Sequence, residues 1–88
     1  MRRRERQGAV QAAKLVAPLT DIEVGEGGRV AYLSTHDSSR MRELMAIGLV
    51  PGVRVKLLRR SPAYVFSVGE SEFAVDEEMA RAVYVRMH

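Results

Sequence analysis

The chain has 88 residues, 47% of them apolar, no cysteine, no tryptophan and a formal charge of +3. That length makes one small domain, and the missing cysteines exclude a disulfide framework, thiolate metal ligands and a cysteine nucleophile. The charge is uneven: residues 1–14 set Arg2, Arg3, Arg4, Arg6 and Lys14 against Glu5 for a balance of +4, while residues 15–88 come to −1. A near-neutral body argues against a nucleic-acid face on it.

Residues 1–17, MRRRERQGAVQAAKLVA, read as a basic, flexible tail ahead of a folded body over residues 18–88. Gln11 and Lys14 interrupt the apolar stretch, which speaks against an export signal. No apolar run approaches the roughly 20 residues of a membrane helix. Membrane contact is therefore expected only through a partner or through the charge of this tail.

The body opens on Leu19, Ile22 and Val24, then a glycine-rich corner at Gly25-Glu26-Gly27-Gly28. A strand-like run follows this corner where a phosphate loop needs a helix, and Glu26 adds a negative charge, so phosphate binding is rejected. Residues 29–35 read as the first strand. His36, Asp37, Ser38 and Ser39 form a polar, helix-capping turn. Met41, Leu44 and Met45 then mark one face of a short helix over residues 40–47, and the two methionines are expected to seal one end of the core. Gly48 is placed to end that helix in the left-handed conformation, with Leu49 packing back on it. Val50-Pro51-Gly52-Val53 fits a type II turn, proline presetting one φ and glycine supplying a positive one.

Residues 53–57 alternate strictly, with Val53, Val55 and Leu57 inward and Arg54 and Lys56 outward; Leu58 breaks the alternation. Residues 64–68 and 72–75 read as two strands joined by a hairpin turn at Gly69-Glu70-Ser71. Asp76 is a plausible N-cap for a helical turn over residues 76–82, its acids favourably placed against the helix dipole. Residues 83–87 close the chain as a last strand. The sum is a mainly β fold of about five short strands, one short helix and one helical turn. Strands this short are expected to curl into a small barrel that removes their edges.

The motif Arg40-Met41-Arg42-Glu43-Leu44-Met45-Ala46-Ile47-Gly48-Leu49-Val50-Pro51-Gly52 resembles the centre of the FeoA family. Gly25 to Val30 before it, and Val55 to Pro62, Ala74-Val75 and Ala80 after it, extend the resemblance over residues 18–88. It also extends to the C-terminal module of iron-dependent repressors of the diphtheria-toxin-repressor type. The resemblance implies an SH3-like barrel with a binding role in bacterial ferrous iron transport. The partner it implies is FeoB, a membrane transporter with a cytosolic GTPase domain, which would place the chain in the cytoplasm, at the inner face of the membrane through that partner. Association with further copies of itself is compatible with this reading. Two departures stand out: Ser61-Pro62-Ala63-Tyr64 replaces the family's Pro-Leu-Gly-Asp-Pro-type loop, and Asp76 follows Ala74-Val75 where a basic residue is usual.

Catalysis is not expected, because neither histidine has a nucleophile or an orienting partner visible in the sequence. His36, Asp37, Glu70, Glu72, Glu77, Glu78 and His88 include no paired metal-ligand spacing. No specific metal site and no cofactor are therefore expected; carboxylates alone would hold a divalent ion weakly. The candidate partner contacts are Arg40, Arg42 and Leu49 at the helix and corner, and Arg59, Arg60 and Tyr64 at the following loop. Two alternatives stay open. One is a metal-responsive regulatory module, the other a nucleic-acid-binding barrel. Arg54, Lys56, Arg59 and Arg60 supply cations for the latter, but with few aromatics among them.

Overall fold

The computed structural model describes residues 16–87. In chain order they form β1 (Val16–Pro18), a 3-10 turn (Leu19–Asp21), β2 (Gly27–Leu33), α1 (Ser38–Ala46), β3 (Arg54–Arg59), β4 (Tyr64–Val68), β5 (Ser71–Val75), α2 (Glu77–Arg81) and β6 (Val83–Arg86). The tail expected over residues 1–17 lies outside the described residues up to position 15, as does His88. β1 straddles the expected boundary between tail and body. The strands make one antiparallel sheet in the order β1-β6-β2-β3-β4-β5.

Period-two alternation sets the inner face of this sheet. Val55 and Leu57 of β3, Phe66 of β4 and Val83 and Val85 of β6 are buried, while Arg54, Lys56 and Arg86 between or beside them are exposed. Leu19, Ile22, Val30, Leu44, Leu49, Met79, Ala80 and Ala82 complete a core with no buried polar or charged side chain among the described residues. Each fully buried Leu, Val or Phe contributes roughly 1.5–3 kcal/mol relative to exposure. Irregularities in register between Val30 and Tyr32 and between Leu57 and Arg59 let the short sheet bend around this core. The second falls at Leu58, where the sequence alternation breaks.

The corner between α1 and β3 forms as the sequence predicts. The Leu49 amide donates to the Leu44 carbonyl at 3.1 Å and the Gly48 amide to that of Met45 at 3.0 Å, with Gly48 at φ +97°. This is a Schellman cap, whose apolar contact between Leu49 and Leu44 lies inside the core. The Val53 amide donates to Val50 at 3.1 Å, and the Gly52 amide donates to Val30 of β2 at 2.8 Å. The corner is thus tied to the middle of the sheet.

Three expectations change. Among the described residues the sheet ends on two edge strands, β1 and β5, that no ladder joins, so curling does not remove the edges there. The described residues form six strands, because Val16–Pro18 pairs with β6. Met45 does not seal the core: it is 51% exposed. Leu44 is the fully buried residue of α1, and Met45 sits about 100° further round the helix.

Candidate partner-docking site

The two helices begin close together, and Arg40 holds them there. Asp37 caps α1, its side chain accepting from the Ser39 amide at 2.9 Å and the Arg40 amide at 3.3 Å. Asp76 caps α2, accepting from the Met79 amide at 2.9 Å. The Arg40 guanidinium lies 3.6 Å from Asp37, 3.9 Å from Asp76 and 3.2 Å from Glu78. One cation therefore spans both caps and the first turn of α2. The capping residues were legible in the sequence; their convergence on Arg40 was not, because it joins segments nearly forty positions apart.

Beside this network lies a cleft of about 320 Å³ between α1 and the edge strand β5. Glu43 and Ile47 form its helical wall, and Phe73, Ala74 and Val75 its strand wall. The turn Gly69–Glu70 has two residues, so Val68 and Ser71 close the β4–β5 hairpin as a hydrogen-bonded pair. Alternation then directs the N–H and C=O groups of Glu72 and Ala74 away from β4. No hydrogen bond among the described residues outside that ladder takes them up. The site thus combines an apolar floor with a strand edge that no other described strand pairs, the arrangement to which an extended segment can add.

The expected contact residues divide. Arg42 is exposed on α1 and forms no ion pair among the described residues. Arg40 is committed to the helix caps. Leu49 is fully buried beneath the corner, so its expected partner contact is withdrawn: reaching it would require opening the core. Arg60 and Tyr64 are brought together, the guanidinium carbon 5.9 Å from the ring centroid, with Arg60 also donating to the Ile22 carbonyl. Arg59 is exposed next to them. Tyr64 stands opposite Val75 in the β4–β5 ladder, which places this second cluster at the end of the cleft. No hydrogen bond or ion pair among the described residues links it to Arg42. The sequence reading missed Phe73 and Ala74, since nothing local marks β5 as an edge.

Among the described residues, no three side chains of the His, Asp and Glu types gather to hold a metal ion. None of the described helices is long and apolar enough to cross a membrane.

Residues 17–87 match the model of the FeoA domain. A crystal structure of an iron uptake regulatory protein (FeoA) is 29% identical, with a TM-score of 0.74 over 83% of this chain and 97% of that one. The zinc-complexed FeoA of Stenotrophomonas maltophilia, described as a procaryotic SH3 domain protein, superposes with a TM-score of 0.69 at 22% identity, covering 77% of this chain and 87% of that one. A manganese-dependent transcriptional repressor shares the fold at a TM-score of 0.76 and 21% identity; the match covers 83% of this chain but only 42% of the repressor. No curated protein matches the sequence. With the family model spanning nearly the whole described body and the sheet curling as an SH3-like barrel, this chain belongs to the FeoA domain family.

Proposed function

We propose that the chain is a non-enzymatic accessory module of bacterial ferrous iron transport that docks on the cytosolic part of a FeoB-type transporter. The observation that carries this reading is the match to a FeoA protein along 97% of that protein's own length, which makes the single barrel the whole unit of comparison. The S. maltophilia relative is itself described as possibly acting as a ferrous iron transport activating factor. The geometry supplies a means. An extended segment of the transporter would pair with the outward groups of Glu72 and Ala74, and its apolar side chains would enter the cleft against Ile47 and Phe73. Arg42, Arg59, Arg60 and Tyr64 would flank it; Arg40 would hold the cleft wall in place.

The test is co-purification from detergent-solubilised membranes of cells expressing the full chain with a FeoB-type transporter. Recovery of the transporter by the wild type, and its loss with Ile47→Arg, is the expected result. Equal recovery by a chain carrying Ile47→Arg rejects this site. The likeness to repressor domains favours a second reading, a regulatory module acting beside a DNA-binding domain. Co-purification with a DNA-binding protein in place of the transporter would select it.

A further inference from the structure

The sheet register lines up three arginines that lie far apart in the chain. Arg29 on β2 stands opposite Arg54 on β3 on one side and opposite Arg86 on β6 on the other. Directly opposed residues point to one face with Cβ atoms about 4.5–5.5 Å apart, so the three form a row across three strands. All three are exposed, as is Lys56, which follows Arg54 on the same face of β3. Like charges in opposition are destabilising, and no ion pair among the described residues relieves them: each belongs to Arg40 or Arg81. The hydrogen bond that fixes one of the row is from Arg29 to the Gly52 carbonyl at 3.0 Å. The near-neutral charge of the body therefore conceals a segregated, unneutralised basic face.

A neighbour of the row indicates what it meets. Tyr32 and Tyr84 are paired across β2 and β6 with ring centroids 4.7 Å apart and planes 14° from parallel. The irregularity after Val30 keeps Tyr32 on the outer face with Arg29, and it is 48% exposed. These rings turn a face toward each other, which occupies surface that nucleobases would stack on. Exposed rings with a polar tip suit the headgroup layer of a bilayer. Long cationic side chains held by so few fixed contacts suit a fluid array of anions better than one rigid protein surface.

We propose that the outer face of β3, β2 and β6, carried by Arg54, Arg29 and Arg86 and bordered by the tyrosine pair, is a contact surface for anionic lipid headgroups. This does not rest on the transporter reading, and the test uses vesicles that contain no protein.

The full chain is sedimented with vesicles of phosphatidylcholine alone or mixed with phosphatidylglycerol. Binding is expected only with the mixed vesicles and weakens as salt is raised. Each of Arg29→Gln, Arg54→Gln and Arg86→Gln is expected to lower partitioning about fivefold, and the triple variant about a hundredfold. Arg81→Gln, a cation removed from the exposed face of α2, leaves it within about twofold at the same cost in net charge. If the triple variant fails to fold by thermal melting, the single variants decide. The proposal is overturned by equal binding to neutral vesicles, by no binding to either, or by row variants that bind as the wild type does. Tighter binding to a single-stranded oligonucleotide in the same buffer, lost in the row variants, overturns the lipid assignment as well.

Discussion

Arg40 and Arg42, two positions apart on one short helix, are separated by the structure into different roles, and replacing each with glutamine makes the difference measurable. Arg40 reaches three carboxylates at 3.2, 3.6 and 3.9 Å. Exposed ion pairs contribute about 0.2–1 kcal/mol each, and Arg40 is still 30% exposed at its side chain. Against that stands the cost of a cation in the first turn of α1, about 0.3–1 kcal/mol from the helix dipole. The net loss for Arg40→Gln is therefore about 1 kcal/mol, a fall in Tm of roughly 4–8 °C for a domain of this size. Arg42→Gln is expected within about 0.5 kcal/mol of the wild type, as for a surface residue with no special contact. Thermal melts at low ionic strength read both. At about 1 M salt, where the screening length is near 3 Å, the difference between them should contract. A double-mutant cycle with Glu78→Gln should return a coupling of about 0.5 kcal/mol. The reasoning is refuted if Arg40→Gln melts with the wild type, or if its loss persists in high salt with no coupling to Glu78.

Two further predictions concern the frame of the site. A Cβ on Gly28 would lie 2.1 Å from the Arg86 carbonyl oxygen and 2.9 Å from its carbon, backbone atoms that cannot swing aside. Gly28→Ala should force β2 from β6 and cost about 3 kcal/mol or more, read as a loss of melting temperature. Leu49→Ala removes a fully buried side chain from under the corner and should cost about 2–5 kcal/mol by denaturant unfolding. A smaller effect on partner binding than on stability would confirm that Leu49 shapes the site from below.

How much of this was legible in the sequence depended on the range of the contact involved. The helix cap at Gly48 and Leu49 and the turn at Pro51-Gly52 rest on bonds spanning a few residues, and the motif announces them. Strand β3 was legible from its alternation, and Leu58 marked its irregularity in advance. β1 carries no such mark: three residues ending in proline become a strand only because β6 lies beside them. Gly27 and Gly28, read as part of a corner, belong to β2, where they permit close approach to β3 and β6. The cleft, the Arg40 network and the arginine row likewise arise from register between distant segments. Of the expected contacts, the exposed Arg42, Arg59 and Arg60 and the half-buried Tyr64 remain available. Leu49 was misplaced because the apolar residue that completes a Schellman cap is drawn into the core by that same cap.

The most direct test is a calorimetric titration of the cytosolic region of a FeoB-type transporter with the full chain and with its Ala74→Pro variant. Proline at Ala74 removes an outward N–H of the β5 edge without breaking a bond to β4. The account predicts saturable binding by the wild type and a loss of about tenfold or more in the variant, with little change in Tm. Absence of binding by the folded wild type, or equal affinity in the two, would contradict it.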